Sequence, residues 1–201
     1  MSSSAITADH SLQTSTGLDN RKLLMWLFLG SECLFFGSLI AAYLLYRDRS
    51  VTGPYPADLF DIPFTSVSAF QLLMSSVSMV LALSAIQRGN LRAMRIWLFV
   101  TAILGVLFIS GQAYEFTNFY REGLRLDTNL FGTTFFVLTG FHGTHVAIGV
   151  LILMSLLVVS FKGKITQANS LNIELAGLYW HFVDIVWIII FTLVYLIQPG
   201  R

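Results

Sequence analysis

Glu32 is the only charged residue between Leu23 and Tyr46. It lies ten residues beyond Lys22, which at about 1.5 Å per helical residue places it roughly 15 Å into a hydrocarbon layer about 30 Å thick. An ionised, unpaired carboxylate at that depth costs several kcal/mol, so such residues face protein or water. Desolvation favours the neutral acid. Two kinds of chemistry suit such a group. One is a hydrogen bond to a neighbouring helix that fixes packing, and the other is a site for a proton, an ion or a lipid headgroup. Glu32 by itself leaves both open.

Two further motifs place polar groups in apolar surroundings. In GFHGTHVAIG, His142 and His145 stand three residues apart, and in YWHFVDIVW so do His181 and Asp184. Residues at this spacing share a helical face. Imidazole is a frequent metal and haem ligand, which makes a buried metal or haem site one reading. H-x-x-H carries little specificity, however. The favoured reading is an interhelical polar seam in which these His and Asp side chains satisfy one another between the fourth and fifth helices. Such bonds are worth only about 1 kcal/mol each in membranes, yet they fix helix pairing. Gly140, Gly143, Thr144 and Gly149 add a small-residue face for close approach. Tyr114 and Glu115 form a polar end to the apolar part of the third span. Cys33, the single cysteine, has no internal disulfide partner and reads as packing. No Lys or Arg occurs at the depth of Glu32 in any span, so its candidate partners are His, Ser, Thr, backbone or a lipid headgroup.

The elements that position these residues follow from composition. Of 201 residues, 55% are hydrophobic and 11% charged, against roughly 25% charged in soluble domains. The chain therefore belongs in a bilayer. Its net charge of +1 and lack of a Lys/Arg cluster give no sign of a nucleic-acid partner. Five stretches reach the ~20 apolar residues that a spanning helix needs. They run from Leu23 to Tyr46, Pro63 to Ile86, Leu91 to Tyr120, Thr128–Asn129 to Lys162, and Leu171 to Gln198. The predicted fold is an all-α integral membrane bundle of five transmembrane helices, organised as a disordered polar tail over 1–20 and a membrane domain over 21–201. The tail lacks the basic and apolar regions of a signal peptide. Seven Lys/Arg fall on the N-terminal side of the bilayer and five on the other, which predicts a cytoplasmic N-terminus and a periplasmic C-terminus. Trp26 and Trp97 at one boundary, with Tyr43, Tyr46 and Tyr120 at the other, read as aromatic belts. The serines of the second span read as a close-packing face. No span has the broken centre and paired charges of a transporter.

SECLFF in the first span, TSVSAFQLLMSSVSMVLALSAI in the second, YEF in the third, FGTTFFVLTGFHGTHVAIGVL in the fourth and YWHFVDIVWIIIFTLVYLI in the fifth resemble subunit III of haem–copper terminal oxidases. The resemblance covers residues 21 to 198 in order. It implies a non-catalytic subunit without a redox centre, in a complex that reduces dioxygen to water and pumps protons. The haem and copper would belong to partner subunits. The partners implied are subunit I by direct contact, subunit II, and a small subunit IV as a further candidate. The implied location is the bacterial cytoplasmic (inner) membrane. Bound phospholipid is expected, with support for proton uptake, oxygen access and the durability of subunit I. Glu32 matches the family's membrane carboxylate, while His142, His145, His181 and Asp184 match its H-G-x-H and W-H-F-x-D patterns. Longer members carry two helices before SE-x-LFF that wall a lipid cleft. Their absence here resembles the short five-helix branch and leaves that wall to lipid or another subunit. Two alternatives stand beside this reading. They are an accessory subunit of a nitric oxide reductase and a stand-alone membrane haem protein ligated by His142, His145 and His181.

Overall fold

A computed structural model of the chain describes residues 19–47, 49 and 60–197. Residues 1–18 of the expected tail over 1–20, and the end of the fifth span at Gln198, lie outside the described residues, while Asp19 and Asn20 already open the first helix. Among the described residues, five helices long and apolar enough to cross a membrane make up the fold. They are α1 (Asn20–Tyr46), α2 (Ile62–Gln87), α3 (Leu91–Arg121), α4 (Leu130–Phe161) and α5 (Ser170–Ile190), the last continuing as a π-helical turn, Phe191–Leu196.

Short polar residues set the starts. Asp19, Asp61, Asn90 and Asn129 each accept a hydrogen bond from a backbone N–H in the first turn, of Arg21, Phe64, Ala93 and Gly132 respectively. Such caps satisfy donors that a helix leaves unpaired. The Asp19 carboxyl is held below the usual carboxylate range by hydrogen bonds from the Arg21 side chain and backbone. That contribution is complete above the ordinary Asp range and is lost only as pH falls through the lowered value. Gly89 ends α2 with φ at +75°, a left-handed conformation that side chains with a Cβ adopt at a cost. At the far end of α5 the Arg47 guanidinium donates to the carbonyl of Ile197 at 3.0 Å and lies 3.4 Å from that of Leu193. A cation there offsets the negative end of the helix dipole.

The bundle is built around α5, the most enclosed helix, which packs against α1, α2 and α4. The α2–α3 hairpin has the longest shared interface, and α4 bridges α3 to α1. By contrast, α1 touches mainly α4 and α5 and is the least enclosed. At the centre sits Trp180, 1% exposed. Its indole N–H donates to Ser75 Oγ at 2.9 Å, and its ring lies where Cβ atoms at Gly105 and Gly149 would stand, 2.6 and 2.8 Å away. Of the second-span serines, Ser68, Ser75 and Ser78 are buried on a packing face. Ser78 Oγ lies 2.7 Å from Thr101 Oγ1 of α3, and Ser75 serves α5. Tyr43 departs from the expected belt. It is buried beside Phe131 in the aromatic core at the α5 end of the bundle, whereas Trp26 and Tyr120 are exposed as belt residues are. Along one end of the bundle, Gln167 Nε2 donates to the Gln87 carbonyl at 2.7 Å, tying the α4–α5 connection to the α2–α3 turn.

Candidate functional site

Because α1 leans on only two helices, a cleft of about 610 Å³ remains between α1, α4 and α5. Its walls are apolar, with Met25, Phe28, Ile148, Ile152 and Leu156 among them, and its polar lining comes from Glu32, His145, Asn172 and Tyr179. Where α1 and α5 begin, Lys22 and Glu174 form an ion pair at 2.5 Å that joins the two helices.

Inside the cleft, Glu32 Oε2 lies 3.3 Å from His145 Nε2, both side chains being about one-seventh exposed. The other ring nitrogen, Nδ1, is 2.7 Å from the Phe141 carbonyl. A carbonyl only accepts, so Nδ1 carries a hydrogen. Nε2 faces the Glu32 carboxyl across that 3.3 Å, without a hydrogen bond of good geometry at Oε2 among the described residues. A polar group at this depth has protein, and not hydrocarbon, to turn to for a partner. Tyr179 fixes the local backbone by donating its hydroxyl to the His145 carbonyl at 3.0 Å. Phe36 meets the imidazole edge-on, with ring centroids 5.0 Å apart.

The other sequence-derived residues sit apart from this pair. His142 points into the core, fully buried, stacked on Trp187 at 4.9 Å with Phe108 edge-on. Its ring nitrogens make no hydrogen bond among the described residues. His181 Nδ1 lies 2.6 Å from Ser76 Oγ on α2. Buried Asp184 lies beside the same serine, without a hydrogen bond of good geometry. Thus α4 and α5 are neighbours, but His142 and His145 turn to different surroundings, while His181 and Asp184 both turn to Ser76 of α2. For the α4 pair the spacing explains it. Residues three apart differ by about 60° around the helix, enough for one to enter the core while the other enters the next groove. The three imidazoles consequently do not converge as a ligand set, and among the described residues no three His, Cys, Asp or Glu are grouped to hold a metal. The small residues also divide. Gly149 receives Trp180, Gly143 receives the Gln112 side chain of α3, and nothing lies within 4 Å of a Cβ built at Gly140.

At the opposite end of the bundle, Glu115 is buried and accepts a hydrogen bond from the Thr65 hydroxyl of α2. Tyr114 is exposed beside Phe64. The polar end of the third span therefore splits into a buried tie to α2 and a surface aromatic. Sequence reasoning did not pair Lys22 with Glu174 or assign Ser76 and Tyr179 their contacts. The only available signals were Glu174 as a charge near a span's start and Ser76 within a serine-rich helix.

A five-helix bundle with an apolar cleft and a carboxyl facing an imidazole inside it defines a multi-pass membrane protein of the helical type. The chain belongs to the cytochrome c oxidase subunit III family, which it matches over residues 1–198. It is 39% identical over 188 residues to quinol oxidase subunit 3 of Bacillus subtilis strain 168, covering 94% of this chain and 92% of that one. To cytochrome c oxidase subunit 3 of Bacillus sp. strain PS3 it is 38% identical, covering 88% and 86%. To that of Thermostichus vulcanus it is 37% identical, covering 96% and 94%. These relatives are subunits of oxidoreductase complexes, so membership implies other oxidase subunits as neighbours.

Proposed function

We propose that this chain is the non-catalytic subunit III of a respiratory haem–copper oxidase in the bacterial cytoplasmic membrane. It packs on subunit I, in a complex with subunit II, and holds phospholipid in the α1–α4–α5 cleft. Through that lipid and the contact with subunit I it supports proton uptake, oxygen access and the durability of turnover. The observation that carries the lipid assignment is the cleft itself, whose apolar walls suit acyl chains while Glu32, His145 and Asn172 supply hydrogen-bonding groups. Haem and copper would reside in the partner subunits.

The test is purification of the oxidase through a tag on this chain, with extraction and mass analysis of bound lipid. Haem-bearing chains should co-purify, and Glu32→Ala should lower the retained lipid several-fold. Glu32→Gln, which keeps the shape and most hydrogen bonds, should retain lipid and initial oxygen consumption. Wild-type lipid content in Glu32→Ala would remove the cleft assignment. A co-purifying subunit II with cysteine and histidine copper ligands would indicate cytochrome c as electron donor, and one lacking them would indicate quinol.

The orientation proposed is N-terminus cytoplasmic and C-terminus periplasmic, supported by the excess of Lys/Arg on the N-terminal side. In a Cys33→Ala background, single cysteines at Ser4 and Gly200 should react with an impermeant thiol reagent from opposite sides of sealed membranes. Reaction of both from one side would rule out the odd number of crossings.

A further inference from the structure

Exposed hydroxyls along the spans complete their bonding within their own helices. Ser31 donates to the Phe28 carbonyl, Ser38 to that of Phe35, Ser110 to Val106, Thr117 to Ala113, Thr144 to Gly140 and Ser155 to Leu151. Lipid therefore meets no unsatisfied group at these positions. His181 differs. Its Nδ1 is fixed against Ser76 Oγ at 2.6 Å, so the ring cannot turn away, and its Nε2 makes no hydrogen bond among the described residues. That nitrogen is not one of the enclosed atoms of the half-buried residue, so it reaches the surface of the bundle in the α2–α5 groove. The position lies eleven residues beyond Ser170, roughly 16 Å along the helix and near mid-bilayer.

Acyl chains offer no donor or acceptor at this depth, and an unmet polar group in hydrocarbon costs several kcal/mol. Apolar side chains flank the nitrogen, with Ile185 and Ile188 one and two turns along α5, and Leu73, Val77 and Val80 on α2, all exposed. The Ser76 hydroxyl lies between the imidazole and Asp184. If it donates to Nδ1, Nε2 carries the ring hydrogen, and if it donates to Asp184, Nε2 is an acceptor. A hydroxyl or carboxamide can meet either form, since each both donates and accepts.

We propose that the α2–α5 face around His181 docks a transmembrane helix of another oxidase subunit, apolar except for one Ser, Thr, Asn or Gln that hydrogen-bonds Nε2. This rests on the reading of the chain as an oxidase subunit and specifies the face by which it is held. The polar residues nearest the contact, half-buried Ser76 and buried Asp184, then act as a support that orients the imidazole toward the partner.

The experiment places the photoreactive residue p-benzoylphenylalanine at Ile185, or at exposed Ile103 of α3 as a control, in the tagged chain within intact oxidase in native membranes. Irradiation should join the Ile185 probe to another subunit and the Ile103 probe to lipid alone. His181→Phe should reduce the Ile185 adduct about fivefold, the loss expected for one interhelical hydrogen bond in a membrane. His181→Gln, which keeps a hydrogen-bonding group, should largely restore it. Lipid adducts alone at Ile185, or a subunit adduct at Ile103 instead, with haem-bearing chains still co-purifying, would overturn the docking face and leave the subunit reading intact. Failure of those chains to co-purify with the unsubstituted protein would overturn the subunit reading itself.

Discussion

A Trp180→Ala chain is expected to be destabilised by about 3–5 kcal/mol, the range for deleting a buried aromatic whose surroundings cannot collapse. The indole fills the space between α3 and α4 that Gly105 and Gly149 leave open, and it donates to Ser75 on α2. Its removal therefore loosens contacts to three helices and leaves Ser75 Oγ without that donor. Relaxation is limited, because the glycines have no side chains to move into the void. Trp180→Phe should recover much of the loss, since it restores ring volume without the hydrogen bond. The reverse change, Gly149→Val, should cost about 1–3 kcal/mol by forcing methyl groups against the indole. Unfolding in mixed detergent micelles, followed by circular dichroism, measures each effect. A wild-type midpoint for Trp180→Ala would show that the bundle is not organised around this residue.

Breaking the Glu32–His145 couple one side at a time should do more harm than removing it altogether. His145→Leu leaves the carboxyl at membrane depth without its imidazole, and Glu32→Leu leaves Nε2 without its acid. A buried polar group deprived of its partner costs about 1–3 kcal/mol, and more when charged. Replacing both by apolar groups of similar size is often close to neutral. The double variant should therefore be more stable than the sum of the singles predicts, with a coupling of about 1–3 kcal/mol. Retention of this chain in the purified oxidase through a graded detergent challenge reads the cycle. Additive losses would mean that 3.3 Å across the cleft is proximity without an energetic link. The same variants bear on lipid, because a leucine pair would line the cleft with apolar surface and remove the hydrogen-bonding groups proposed to hold a headgroup.

The spans were legible because crossing a bilayer is a one-dimensional requirement, a sufficient length of apolar residues ended by polar ones. Caps such as Asp61, Asn90 and Asn129 were equally local, each accepting from a backbone N–H three residues on, although sequence reasoning did not single them out as caps. The π-helical end of α5 and the burial of Tyr43 were not, since both depend on what packs nearby. Glu32 illustrates the boundary well. Its depth and lack of a Lys or Arg partner narrowed the choice to His, Ser, Thr, backbone or lipid, and only the approach of α1 to α4 selected His145.

The sequence by itself determined five apolar helices, their approximate ends, the family pattern and the inventory of polar groups that had to be satisfied. Tertiary structure decided which helix met which. It sent His142 into an aromatic core and His145 to the cleft, and it set His181 and Asp184 beside Ser76. The reason is physical. In a membrane the lipid-facing and core-facing sides of a helix are both apolar, so hydrophobic periodicity does not mark the contact face. A pair three apart can straddle two grooves, as His142 and His145 do, or share one, as His181 and Asp184 do at Ser76. Shape complementarity, such as an indole set into two glycine gaps, settles which groove each side chain enters.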